Sequence, residues 1–192
     1  MRLIFIVLCI ALCGAVAAVA QPDSSDGIAQ KAAQCGGCHG SNGVPVSKDY
    51  PVIWGQHAGY IFLELRDFKT GARKSAIMGP IANALTREDM LALGEYLEKK
   101  PWPDLGQGRA GARDAERAAG DISSGQCTQC HLDGFLGDST NPRLAGQSVG
   151  YLRATMTAFH DGTRANNPWM AALLKTYSAP DIDALALYLG GL

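Results

Sequence analysis

The chain matches itself. When its second half is laid on its first, Cys35-Gly36-Gly37-Cys38-His39 falls on Cys127-Thr128-Gln129-Cys130-His131. Pro51-Val52-Ile53-Trp54-Gly55-Gln56 falls on Pro142-Arg143-Leu144-Ala145-Gly146-Gln147, Gly59-Tyr60 on Gly150-Tyr151, and Phe68 on Phe159. Gly71-Ala72-Arg73 then matches Gly162-Thr163-Arg164, and Met78 matches Met170. Asp89, Leu93, Tyr96 and Leu97 match Asp181, Leu185, Tyr188 and Leu189. Two copies at so long a period describe a duplicated globular domain and not a solenoid. Whatever one copy folds into, the other must also fold into.

The segment 1–20 stands outside the repeat. Arg2, the apolar run Leu3 to Leu12, and Ala18-Val19-Ala20 before Gln21 read as a secretory signal with an A-x-A cleavage site. The dense apolar core is too short for a membrane anchor, and Cys9 and Cys13 both follow leucine, which argues against a lipoprotein. Cleavage leaves the segment 21–192 and moves the net charge from −1 to −2, because Arg2 is the only charged residue lost. Residues 21–100 carry nine basic and nine acidic residues, and residues 101–192 carry seven and nine. So even a balance leaves no footprint for nucleic acid. The prolines and glycines of Pro101-Trp102-Pro103-Asp104-Leu105-Gly106-Gln107-Gly108 cannot continue a helix. They predict a linker over 101–111, between a first domain at 21–100 and a second at 112–192.

Each copy reads as helical, with no strand ladder. Ser24, Ser25 and Asp26 offer N-caps for a helix running into Cys35, and Ala112 to Gln126 is its counterpart. Tyr60 to Phe68 and Tyr151 to Phe159 keep an apolar face and are stopped by Gly71 and Gly162. Thr86 with Asp89 predicts a capped final helix whose buried face is Leu91, Leu93, Tyr96 and Leu97, and Asp181 to Leu189 repeats it. Pro180 is tolerated in that helix's first turn.

Six cysteines in an exported chain ordinarily suggest disulfides, but Cys9 and Cys13 leave with the signal. The remaining four sit in the two Cys-x-x-Cys-His motifs. On one helical turn this spacing lets two sulfurs reach the two vinyl groups of a haem while the next residue points at its iron. Cys35, Cys38 and His39, and Cys127, Cys130 and His131, thus predict two covalently bound haems c. The alternatives are a zinc site, whose Cys-x-x-Cys pairs stand about 15–20 residues apart, and a dithiol redox centre in a βαβ setting. Here the two pairs start at Cys35 and Cys127, several times further apart than a zinc site of that kind allows.

The other axial ligand decides what such irons can do. Met90 and Met156 lie within helical apolar patterns, where packing is their expected role. Met78 and Met170 sit in loops, and the step from His39 to Met78 equals the step from His131 to Met170. That matched spacing predicts His/Met ligation of both irons, which favours the ferrous state. Filling both axial positions leaves none for oxygen or peroxide, so electron transfer is expected, not catalysis. His57 aligns with Ser148 and His160 with Lys69, so neither has a repeat partner; both are expected at the surface. Pro51 follows His39 at nearly the same interval as Pro142 follows His131, and both proline carbonyls could accept the imidazole N–H; ordinary loop prolines are the alternative. Arg73 and Arg164 could pair with haem propionates or be solvated. Tyr60 and Tyr151 either line the haem pocket or pack, and Trp54, aligned with Ala145, reads as local packing.

Together, Cys-x-x-Cys-His, Pro-x-x-x-Gly-Gln, a Tyr-led helix ending in Gly-x-Arg, the methionine and the final Asp-x-x-x-Leu-x-x-Tyr-Leu helix resemble the cytochrome c4 family over residues 25–190. The resemblance implies an all-α fold of two tandem class I cytochrome c domains behind a cleaved signal peptide. It also implies a periplasmic location and haem irons held by His39 with Met78 and His131 with Met170. The implied function is a single-electron shuttle for a terminal oxidase, reductase or dehydrogenase, with peripheral membrane association open to it. Two departures bear on the partner: Leu132 follows His131 where Gly40 follows His39, and Ile77-Met78-Gly79-Pro80-Ile81-Ala82 is similar to the di-haem subunit of flavocytochrome c sulfide dehydrogenases. The alternative is therefore a permanent electron-accepting subunit of a dehydrogenase.

Overall fold

The structure, a computed structural model, describes residues 25–192. The expected leader at residues 1–20 and the Ser24 cap lie outside the described residues. Among the described residues all regular elements are helical, with one isolated β-bridge between Asp138 and Asn141. The first lobe contains α1 (Ser25–His39), α2 (Ala58–Thr70), α3 (Met78–Asn83) and α4 (Arg87–Glu98). The second contains α5 (Ala112–Ser124), α6 (Thr128–His131), a 3-10 turn (Asp133–Phe135), α7 (Val149–His160), α8 (Pro168–Leu174) and α9 (Ala179–Gly190). Residues 101–111 carry no helix.

The last helix of each lobe is its hub: α4 packs on α1 and α2, and α9 packs on α5 and α7. Local sequence sets where these hubs start. The Asp89 N–H donates to Thr86 Oγ1 at 3.1 Å while the Thr86 N–H donates to Asp89 Oδ2 at 2.9 Å. Ser178 and Asp181 form the equivalent box at the start of α9. Such a cap contributes about 1 kcal/mol by satisfying amides the helix leaves unpaired. Each capping carboxylate also receives a cation from the first helix of its lobe. Lys31 Nζ lies 2.6 Å from Asp89 Oδ1, and Arg117 Nη1 lies 2.6 Å from Asp181 Oδ1. One aspartate therefore both starts the helix and docks it.

The lobes differ in their cores. In the second, Ala118, Phe135, Ala145, Leu152, Met156, Phe159, Leu174, Tyr177, Ile182, Ala184, Leu185, Ala186 and Leu189 form one contiguous buried cluster. In the first, among the described residues, Ile28, Ala32 and Leu93 form a smaller cluster with Leu85, Ala92 and Tyr96 packed against it, and Val52, Ile61, Ala82, Met90 and Leu97 are also buried.

The helix leading to the first motif also differs between lobes. α1 runs unbroken to His39, but α5 stops at Ser124, short of the expected Gln126, and Gln126 adopts φ 51°. The Tyr177 hydroxyl donates to Asp121 O at 3.0 Å, a carbonyl the Gly125 N–H also uses, and it occupies the space a side chain at Gly125 would need. The positions equivalent to Gly125 and Tyr177 in the first lobe are Ala33 and Leu85, and there the helix continues.

Candidate haem sites and the junction between lobes

His39 ends α1 and His131 ends α6. His39 Nδ1 lies 2.9 Å from Pro51 O, and His131 Nδ1 lies 3.0 Å from Pro142 O. A carbonyl oxygen can only accept, so Nδ1 carries the proton and Nε2 keeps its lone pair for a metal. Both imidazoles are buried, and burial holds their pKa values below the ordinary histidine value, against the opposing pull of the proline carbonyls. Each ring is therefore neutral with a fixed tautomer, the form that can bind a metal through Nε2. The two prolines are acceptors and not merely loop residues.

Cys35 and Cys38 share the last turns of α1, and Cys127 immediately precedes α6, which contains Cys130. No disulfide joins any of the four. Burial pushes the Cys35 and Cys127 thiols up, the reverse of what a reactive dithiol requires. Among the described residues no three His, Cys, Asp or Glu side chains converge as a zinc site would need.

Met78 and Met170 are not in loops. Met78 is the first residue of α3 and Met170 the third of α8. Ser75 Oγ accepts the Met78 N–H at 3.0 Å, and Asn167 Oδ1 accepts the Met170 N–H at 3.1 Å. The prolines that made these segments read as loops, Pro80 and Pro168, stand in first turns, where a helix has no use for their missing N–H. Met78 and Met170 are half-buried, whereas Met90 and Met156 are buried, Met156 within the second core.

A haem would have to cover apolar surface, and that surface is present. Nine large hydrophobic side chains are exposed among the described residues. Seven of them, Val44, Val46, Ile77, Ile81, Leu132, Leu136 and Trp169, lie close along the chain to these histidines and methionines. Exposed apolar side chains gathered at one kind of site mark a binding surface. The donor set and its surroundings fit the group.

Arg73 and Arg164 are neither solvated nor independent of each other. Arg73 Nη2 donates to the Tyr151 hydroxyl at 3.0 Å, and Arg164 Nη2 to the Tyr60 hydroxyl at 3.4 Å, so the equivalent pairs cross between lobes. Glu64 accepts from both arginines, from Arg164 at 2.6 Å. Burial raises the Tyr151 hydroxyl, but Arg73 and Arg164 outweigh it and hold the group below its ordinary pKa. Asn166 adds bonds to Glu64 and Asp67. Glu64 was not flagged by the repeat, since its counterpart is Thr155 and a search for matches passes over an unmatched residue. The lobes come close enough that a Cβ on Gly59 would lie 2.8 Å from Ser139 O and one on Gly150 2.6 Å from Lys48 O. His57 is half-buried, and its Nε2 lies 2.9 Å from Leu136 O of the other lobe. His160 is half-buried with Nδ1 3.1 Å from Leu174 O. Trp54 packs locally, close to Gly43 and beneath Lys100.

No family model matches the chain. It is 38% identical over 165 residues to the thiosulfate dehydrogenase electron acceptor of Stutzerimonas stutzeri (strain A1501), covering 80% of this chain and 76% of that protein. It is 31% identical over 174 residues to cytochrome c4 of Pseudomonas aeruginosa, covering 84% of this chain and 85% of that one. The crystal structure of reduced recombinant cytochrome c4 from Pseudomonas stutzeri superimposes with a TM-score of 0.78 at 26% identity, over 88% of this chain and 98% of that one.

Proposed function

Because the chain belongs to the cytochrome c4 family, we propose that Cys35, Cys38, His39 and Met78 hold one haem and Cys127, Cys130, His131 and Met170 the other. The protein is a di-haem c-type cytochrome that transfers electrons and has redox proteins as partners. The observation that carries the ligand assignment is the pair of equivalent histidines, each with Nδ1 on a proline carbonyl and a half-buried methionine at one matched spacing further on. Bound haem supplies an iron that cycles between ferric and ferrous states. The chain's own contribution is to fix the histidine tautomer, supply a thioether to each iron, and present apolar walls. We place the leader at 1–20, the domains at 21–100 and 112–192 and the linker at 101–111, with the mature protein in the periplasm.

The finer assignment concerns the donor. The similarity to electron acceptors of thiosulfate dehydrogenases supports a role in accepting electrons from a dehydrogenase of a reduced sulfur compound, as a dedicated acceptor in preference to a general shuttle. The test is the exported protein itself. Mass spectrometry and pyridine haemochrome analysis should give two haems per chain and a mature N-terminus at Gln21. The ferric protein should show the weak methionine-to-iron absorption band for both haems. Absence of that band from either haem would overturn the methionine assignment.

A further inference from the structure

We infer that Gln56 and Gln147 are crossed positioning residues, each tuning, from the opposite lobe, the histidine that binds the haem iron there. The inference rests on the ligands proposed above. Both glutamine side chains are buried, each at 3% exposure. Gln147 Oε1 accepts the Val52 N–H at 2.7 Å, and its Nε2 donates to Val52 O at 3.0 Å. Gln56 does the same to the equivalent residue of the second lobe: its Oε1 accepts the Arg143 N–H at 2.9 Å and its Nε2 donates to Arg143 O at 3.1 Å. Two antiparallel bonds to one residue fix both its place and its orientation.

The residue held in this way matters because of the peptide it belongs to. The Val52 N–H and the Pro51 C=O are two ends of one peptide group, and that C=O accepts the His39 Nδ1–H. The chain of bonds runs His39 Nδ1–H to Pro51 C=O, through the amide, then Val52 N–H to Gln147 Oε1. The second runs His131 Nδ1–H to Pro142 C=O, then Arg143 N–H to Gln56 Oε1. Donation from the N–H end polarises an amide and makes its oxygen a better acceptor. A better acceptor makes the imidazole a stronger donor to its metal, which stabilises the ferric form and lowers the potential. Gln147 belongs to the second lobe but acts on the first lobe's histidine, and Gln56 does the converse. Within its own lobe each carbonyl oxygen also accepts the next residue's N–H, from His57 at 3.1 Å and Ser148 at 2.9 Å, so each is anchored at the start of a helix.

The test uses Gln147→Met and Gln56→Met in the haem-loaded full chain, since methionine keeps the length and volume and removes both bonds. The readouts are solvent exchange of the two histidine Nδ1 protons in the reduced protein, by NMR, and the two haem potentials by redox titration. In Gln147→Met the His39 proton should exchange about tenfold faster, as loss of roughly one hydrogen bond's net contribution implies. The first-lobe haem should also become easier to reduce while His131 stays unchanged. Gln56→Met should give the mirror result. A change confined to the mutated residue's own lobe, equal in both lobes, or absent, overturns the inference. If the methionine variants do not fold, Gln147→Asn, one methylene shorter and still polar, is read the same way. Failure of the ligand proposal is distinguishable: it removes a haem or a methionine band from the unmutated protein, while failure of the crossed pattern leaves both in place.

Discussion

The two lobes repeat one ligand turn on two different supports. His39 and His131 make the same bond to the same kind of residue at 2.9 and 3.0 Å. Both final helices begin at a hydroxyl–aspartate box docked by a cation from the first helix. Beneath this agreement the cores diverge. Among the described residues the second lobe buries one apolar cluster from Ala118 to Leu189, while the cluster of the first, Ile28, Ala32 and Leu93, is smaller. Ligand chemistry depends on tenths of an ångström at a few atoms, so both copies retain it. Core packing depends on total apolar area, which each lobe can gather in its own way. Fully burying a Leu or Phe contributes about 1.5–3 kcal/mol, so the second lobe has the larger support of its own, and the first leans more on what fills its pocket.

That difference is most directly broken by removing one haem at a time, and the effect should be the largest available. Cys35→Ala with Cys38→Ala should cost the first lobe its fold, seen by NMR as loss of dispersed resonances from α1, α2 and α4. Cys127→Ala with Cys130→Ala should leave the second lobe compact, with α5, α7 and α9 still protected from exchange. Equal collapse of both lobes would show that the haem, and not the polypeptide core, carries the second lobe too.

How much of this was readable beforehand follows from the kind of information a repeat holds. Matching residues pointed to the two candidate ligand sets, the capped helix start at Thr86 and the prolines that hold the histidines, because each acts within a short stretch of chain. Unmatched residues were silent: Glu64, facing Thr155 in the alignment, bridges two arginines whose partners lie across the junction. Gln56 and Gln147 were visible as a pair, but a repeat cannot say that a residue acts on the other copy. Met78 and Met170 were misplaced in loops because proline and glycine disfavour a helix interior, and sequence pattern does not separate that from a first turn.

A second contrast lies one residue past each histidine. Gly40 takes φ 85°, and a Cβ there would collide with the Val44 peptide. Its counterpart Leu132 takes φ 59°, a left-handed conformation that a side chain resists. Gly40→Ala should therefore destabilise the first lobe by about 1–3 kcal/mol. Leu132→Gly should stabilise the second by about 0.5–1 kcal/mol, the strain relieved being partly offset by the greater freedom of glycine in the unfolded chain. Thermal melts of the haem-loaded protein should separate the two signs. Stabilisation by both substitutions, or by neither, would mean that neighbouring packing and not backbone conformation governs this step.

Acid should separate the lobes by the smallest margin. Asp89 lies below its ordinary carboxylate value of 3.8 chiefly through the hydrogen bond from Lys31, and Asp181 lies below it through Ser178 and Arg117. A group lowered on folding contributes stability above its unfolded value that is lost as the pH falls through the folded one. Both lobes share that loss below about pH 3.8. The second lobe also contains Asp121, raised by burial and by the nearby charge of Asp181. A raised carboxyl contributes in the opposite sense: its stabilisation is present below the unfolded value and disappears as the pH rises through the folded one. Acidification therefore protonates Asp121 first and relieves the second lobe before Asp181 begins to fail. Amide exchange followed downward from neutral pH should show α4 losing protection at a higher pH than α9. Asp121→Asn, which fixes the group in its neutral state, should give the second lobe that relief already at neutral pH and so flatten the gain in α9 protection on mild acidification. If α9 opens before α4 in the unmutated protein, the asymmetry of these two carboxylate clusters does not govern the acid response.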